Sequence, residues 1–161
     1  MSNGEVARYP ALSSPRPYLK MSDAVAAILL TEEEKFLLQL RDNIPQIWYP
    51  GCWGCFGGAI DVGESAEDAL SRELKEELEV KIDDTELIST LEFDLRPQGL
   101  NKYFRAYYLV RLNKDQLRNA VLHEGQAMKA FSFYEMNQIT MSPYDAFAIH
   151  LYWACAANNI K

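Results

Sequence analysis

The chain has 161 residues, 48% hydrophobic and 24% charged, the balance of an ordinary soluble globular protein long enough for one domain with a real core. Its net charge of −7 argues against general nucleic-acid binding, which needs a basic footprint. The longest apolar stretches, 24–30 and the histidine-interrupted 146–157, are too short to span a bilayer.

The opening MSNGEVARYPALSSPRPY has no continuous apolar core, so no signal peptide is expected. Three cysteines fit a reducing cytoplasm better than a disulfide framework. Residues 1–21, rich in proline and without periodicity, read as an extended N-terminal arm ahead of a single domain over 22–161. The arm has two open uses, packing on its own domain or on a second copy as a homodimer.

Residues 23–30 (DAVAAILL) form a short continuous apolar run that suits a strand buried on both faces. A polar turn over 31–34 leads to a second strand over 35–41, then to a proline-containing loop over 42–52 with Trp48 and Tyr49. A short strand over 53–56 feeds the Gly57-Gly58 turn. Ser65 is placed as an N-cap, with Asp68 three residues on in a capping-box arrangement. The helix that follows carries an apolar stripe of Leu70, Leu74 and Leu78, with Ala66 and Ala69 keeping its first turns slim. Strands are expected over 87–95, 103–111 and 127–133, and a short helix over 114–122. A last helix starts at Ser142-Pro143 and runs to about Asn158.

One feature of the first helix is chemically odd. At about 100° per residue, Glu73, Glu76 and Glu77 fall within an arc of roughly 100°, at spacings where like charges repel. A cation between them relieves that repulsion, and hard oxygen ligands suit Mg²⁺ or Mn²⁺. For three glutamates alone, a solvated acidic helix explains the pattern as well.

The wider spacing decides between the two. Gly58, Glu64, Arg72-Glu73-Leu74, Glu76-Glu77 and Val80 match G-x5-E-x7-R-E-U-x-E-E-x-G-U, with U aliphatic, at every fixed position but one, where Glu79 stands for glycine. The chain therefore resembles the Nudix hydrolase superfamily, MutT-like members included. The resemblance implies an α/β fold, an α/β/α sandwich around a mixed β-sheet. It also implies metal-dependent cleavage of a diphosphate bond in a nucleoside diphosphate derivative by water attack at phosphorus. The cofactor implied is Mg²⁺ or Mn²⁺, and the partner is that small molecule, with no nucleic acid and no membrane.

By resemblance, Glu76 and Glu77 are the principal metal ligands, and Glu73 is a further ligand or the base. Arg72 orients Glu73 and its neighbours, Glu64 supports loop and helix, and Gly57 and Gly58 allow close backbone approach, with the Gly58 carbonyl a candidate ligand. The later His123-Glu124-Gly125-Gln126 looks like the loop from which MutT-type members bring another glutamate, here Glu124, to the metal. Arg41 and Asp145 match positions near the substrate, although a strand-end charge and a capping partner for Ser142 are equally simple accounts of them. Glu79 is expected to extend the helix or shift its end.

The box does not choose between a nucleoside triphosphate pyrophosphatase and a nucleotide-sugar or ADP-ribose hydrolase; the HEGQ segment tilts toward triphosphates. Two other classes stand beside the hydrolase: a non-catalytic nucleotide-sensing module, and an isopentenyl diphosphate isomerase-like enzyme, suggested by YPGCW but without its Cys-Gly-His signature. Cys52-x-x-Cys55 has the spacing of half a zinc knuckle and lacks the other half.

Overall fold

The computed structural model describes residues 21–99 and 101–158, so the expected arm lies, except for Met21, outside the described residues. The strands are β1 (Ala24–Thr31), β2 (Phe36–Leu40), β3 (Trp53–Gly54), β4 (Glu86–Asp94), β5 (Lys102–Leu112) and β6 (Ala127–Phe131). The helices are α1 (Ala66–Leu78), α2 (Lys114–Asn119), α3 (Phe133–Met136) and α4 (Pro143–Asn158). All six strands form one sheet in which β1 pairs parallel with β5 and antiparallel with β2, so the sheet is mixed, as expected.

β1 is the centre, and its unbroken apolar run has a direct cause. Val25, Ala27 and Leu29 face the Leu70, Leu74 and Leu78 stripe of α1. Ala26, Ile28 and Leu30 face Met136 of α3 and Ala148 and Ile149 of α4. Both faces of the strand are covered, which gives the three-layer α/β/α sandwich.

The turn that carries the site comes from a change of partner. β2 meets β1 only near their hairpin, at Leu29↔Leu37 and Leu30↔Phe36. Farther along, β2 pairs with β3 on one side and β6 on the other. The chain after β3 then crosses to β1 through isolated bridges Ala27↔Phe56 and Ala24↔Ala59. The strand expected over 53–56 is thus regular for two residues before it changes neighbour.

Two further boundaries and one capping arrangement differ from expectation. The strand placed over 127–133 stops at Phe131, because Ser132 caps α3 in a capping box: Glu135 N–H donates to Ser132 Oγ at 3.3 Å, and Ser132 N–H to Glu135 Oε2 at 2.7 Å. The helix placed over 114–122 ends at Asn119, with Ala120 extended. There the chain turns to bond the end of α1 through Val121 N–H to the Leu78 carbonyl at 3.0 Å. Ser65 does cap α1, but the Asp68 carboxylate accepts from the Ser65 hydroxyl at 2.7 Å instead of reaching its backbone.

Glu79 does not extend α1. It takes the left-handed conformation, φ 57°, ψ 20°, and its N–H caps the carbonyls of Leu74 and Lys75. The helix therefore ends where a glycine would end it, with a residue that has a Cβ to accommodate.

Candidate active site

α1 presents its carboxylates to the Gly57-Gly58 turn. Gly57 has φ +127°, and a Cβ there would collide with the Val25 carbonyl of β1. A Cβ on Gly58 would instead collide with the Glu73 carboxylate. The missing side chains let the backbone touch β1 at one residue and the acidic helix at the next.

Arg72 organises the outer side. Its Nε and Nη2 grip Glu64 at 2.9 and 3.0 Å, Nη1 reaches Glu73 at 2.8 Å and Glu76 at 3.4 Å, and Nη2 also donates to the Ala59 carbonyl at 3.0 Å. All five guanidinium donors are engaged. Glu64 also accepts the Asp61 N–H at 3.1 Å, tying the loop to the helix. Its hydrogen bonds from Arg72 hold the Glu64 carboxyl below its usual range.

Glu77 faces inward and is 4% exposed. Its carboxylate accepts from Gly57 N–H at 2.8 Å and from the Gln39 amide at 3.3 Å. Burial nevertheless pushes it up to about 7, opposed by the Gly57 bond and reinforced by the negative charges of Glu124 and Glu73. Burial also raises Glu73, against Arg72, with Glu76 and Glu124 adding to the rise. Glu124, on an exposed loop, thus lies within electrostatic reach of both.

That loop is sewn down at its ends. His123 N–H donates to the Glu77 carbonyl at 2.9 Å and Gln126 N–H to the Leu40 carbonyl at 2.8 Å. Among the described residues, no three carboxylate, imidazole or thiolate side chains stand close enough to hold an ion as placed. Glu73 is turned to Arg72, and Glu77 to Gly57 and Gln39. The donors nevertheless fit a hard divalent cation: four carboxylates share one neighbourhood, one of them buried and calling for a counter-charge. Glu76 has a side chain 61% exposed and Glu124 is exposed, so both can turn inward. The Gly58 carbonyl accepts Val25 N–H at 2.9 Å and keeps a second lone pair.

Beside the glycine turn opens a cleft of about 200 Å³, lined among others by Arg41, Arg105, Trp48, Tyr49, Tyr103 and Tyr144. Asp145, 2% exposed, lies at its floor. Its carboxylate accepts from Cys55 N–H at 3.1 Å and from the Tyr107 hydroxyl at 2.8 Å, and pairs with Arg105 at 3.5 Å. It makes these bonds to β5 and the chain after β3 in place of the capping contact considered for Ser142. Arg41 donates through Nε to the Trp48 carbonyl at 2.9 Å, which fastens the loop over 42–52.

Cys55 is fully buried and Cys52 is 7% exposed. Burial raises both thiols, Cys55 well above the ordinary value. The structure thus gives no support to an isomerase-type cysteine or to half of a zinc site.

The structure therefore brings Gly57, Gly58, Glu64, Arg72, Glu73, Glu76, Glu77 and Glu124 to one place, and Arg41 and Asp145 to the adjoining cleft. Two residues of this neighbourhood were not singled out from the sequence. Gln39 is a lone amide in the apolar run FLLQL, a pattern that demands a buried polar partner. Arg105 shares the face of β5 with Tyr107, and a cation on a buried face calls for an acid opposite.

The NUDIX domain family model matches residues 20–152, and the chain belongs to that family. It is 36% identical over 103 residues to an RNA pyrophosphohydrolase of Campylobacter jejuni subsp. doylei, across 55% of this chain and 61% of that protein. It is 39% identical over 66 residues to an ADP-ribose pyrophosphatase of Methanocaldococcus jannaschii, across 41% of this chain and 37% of that one. The matched region thus spans less than two thirds of either relative. Among solved structures, the Escherichia coli ORF135 protein superposes with a TM-score of 0.69 at 26% identity, over 91% of this chain and 99% of that one. The NUDIX domain of Shewanella oneidensis NrtR, complexed with ADP ribose, does so at 0.67 and 21%, over 89% and 93%, a likeness of fold.

Proposed function

We propose that this protein is a divalent-metal-dependent hydrolase that cleaves a diphosphate bond in a nucleoside diphosphate derivative by attack of water at phosphorus. The observation that carries the proposal is the clustering of Glu73, Glu76, Glu77 and Glu124 around the Gly57-Gly58 turn, beside a cleft with two arginines. The two curated relatives are both named for breaking a pyrophosphate linkage in a nucleotide derivative.

Glu76 and Glu77 are the proposed principal ligands of Mg²⁺ or Mn²⁺, joined by Glu124, the Gly58 carbonyl and Glu73. An ion held there would supply charge neutralisation at phosphate oxygens and would make water more acidic. Arg72, with every donor engaged inside the protein, is assigned to positioning the carboxylates. Glu73, made a stronger base by burial, is suited to take the proton from water if it does not ligate. Arg41 and Arg105 line the cleft and are assigned to the substrate's anionic or carbonyl groups. Tyr49, Tyr103 and Tyr144 offer faces for a base or sugar. Asp145 braces Arg105 and the cleft floor.

The HEGQ loop favours nucleoside triphosphates, whereas the ADP-ribose pyrophosphatase relative and the ADP-ribose complex of NrtR favour ADP-ribose. A hydrolysis screen with Mg²⁺ over nucleoside triphosphates, ADP-ribose, nucleotide sugars, dinucleoside polyphosphates and 5′-triphosphorylated RNA tests both. Turnover of one class identifies the substrate. Tight nucleotide binding without turnover would overturn the hydrolase and leave a sensing module.

A further inference from the structure

We propose that Glu79 is a positioning residue: through His123 it holds the loop that brings Glu124 to the carboxylate cluster. The inference rests on the metal site proposed above, and its starting point is the one departure from the Nudix motif. Glu79 adopts a left-handed conformation at the end of α1 (φ 57°) that glycine would take more cheaply. Its side chain has a partner there that glycine would not have: Glu79 Oε1 lies 2.6 Å from His123 Nε2.

The position of that contact gives it a purpose. Val121 N–H bonds the Leu78 carbonyl, His123 N–H the Glu77 carbonyl and Gln126 N–H the Leu40 carbonyl, so the segment is fastened to α1 at one end and β2 at the other. Glu124 and Gly125 form the span between. Gly125 has φ +87°, and a Cβ there would lie 2.8 Å from the Leu40 carbonyl, so the span runs close against β2. Glu124 lies within electrostatic reach of Glu73 and Glu77, and like charges repel when no cation lies between them, so the cluster pushes the loop away. The Glu79–His123 contact opposes that repulsion at the residue adjoining Glu124. It keeps Glu124 near its working place before an ion arrives, which reduces the ordering left to binding.

The test uses the full chain and the variants Glu79→Gly, Glu79→Gln, His123→Ala and the Glu79→Gly/His123→Ala pair. Mn²⁺ binding is read from the electron paramagnetic resonance of the free ion, and amide hydrogen exchange is followed over 121–126. Glu79→Gly keeps the helix end, so its unfolding temperature should equal or exceed that of the parent. Its Mn²⁺ affinity should fall roughly twofold to fivefold, the worth of an exposed pair of this kind, with faster exchange at Glu124 and Gly125. His123→Ala should match it, the pair should be no worse than either alone, and Glu79→Gln, which can still bond His123, should recover most of the affinity. Parental Mn²⁺ affinity and loop exchange in Glu79→Gly would overturn the inference. Failure of the parent itself to bind Mn²⁺ would overturn the metal site instead.

Discussion

Gly58 and Glu73 stand so close that the glycine's missing side chain is the space the carboxylate occupies. Gly57 next to it is tight for a different reason, since its obstacle is the Val25 backbone of β1. The two glycines should therefore fail differently. Gly58→Ala displaces the far end of a flexible side chain, so stability should change by about 1 kcal/mol or less, while hydrolysis falls on the order of 100-fold. Gly57→Ala meets backbone at a positive φ and should cost about 2–4 kcal/mol. Thermal unfolding beside hydrolysis rates separates the two effects.

Arg72 is joined to Glu64, Glu73 and Glu76. Arg72→Ala leaves three carboxylates without their shared cation. The guanidinium is partly solvent-exposed, with 28% of the side-chain surface accessible, so the loss should be about 1–3 kcal/mol, below that of a fully buried pair. Arg72→Lys, lacking the two-pronged grip on Glu64, should recover less than half of that stability in urea unfolding.

Glu77 makes a pH prediction with a definite sign. Its carboxyl is raised from an ordinary 4.5 to about 7 by burial, so the folded protein binds a proton that the unfolded chain releases. Without metal, stability should be greatest below pH about 4.5 as far as this group is concerned, and should decline as pH rises to about 7. The decline is on the order of 3 kcal/mol, and Glu73 shifts in the same direction. Glu77→Gln should flatten the profile measured by urea unfolding in EDTA, and Mg²⁺ should restore parental stability at neutral pH but not that of the variant. An unchanged slope in Glu77→Gln would contradict the assignment.

The cleft floor and rim should also separate. Asp145→Ala strands the Cys55 N–H, the Tyr107 hydroxyl and the Arg105 guanidinium in a place 2% exposed, at a cost of about 3–5 kcal/mol. Arg41→Ala removes one bond to the Trp48 carbonyl and should cost about 1 kcal/mol. Its main effect should be a raised KM with kcat little changed, the mark of lost ground-state binding.

The elements visible in the sequence were those whose causes are local. The run over 23–30 announces a strand covered on both faces, and the leucine stripe of α1 announces the face it buries. The acidic cluster was legible because the chain meets eight of the nine positions that the motif fixes over one turn and one helix. What was hidden depends on partners far along the chain. Asp145 is held by groups 90 and 38 residues away, at Cys55 and Tyr107, and no local pattern distinguishes that from a helix cap. The move of the chain from β2 to β1 at Phe56 is likewise a matter of sheet pairing. The Ser132–Glu135 capping box was readable, and the apolar run around it masked the helix start.

The most direct test of the central claim is hydrolysis in H₂¹⁸O with Mg²⁺, comparing the parent with Glu76→Gln and reading isotope shifts by phosphorus NMR. The account predicts ¹⁸O bonded to phosphorus in one product, turnover abolished by EDTA, and a loss in Glu76→Gln of at least about 100-fold. Turnover that persists without metal, or that survives in Glu76→Gln, would contradict it.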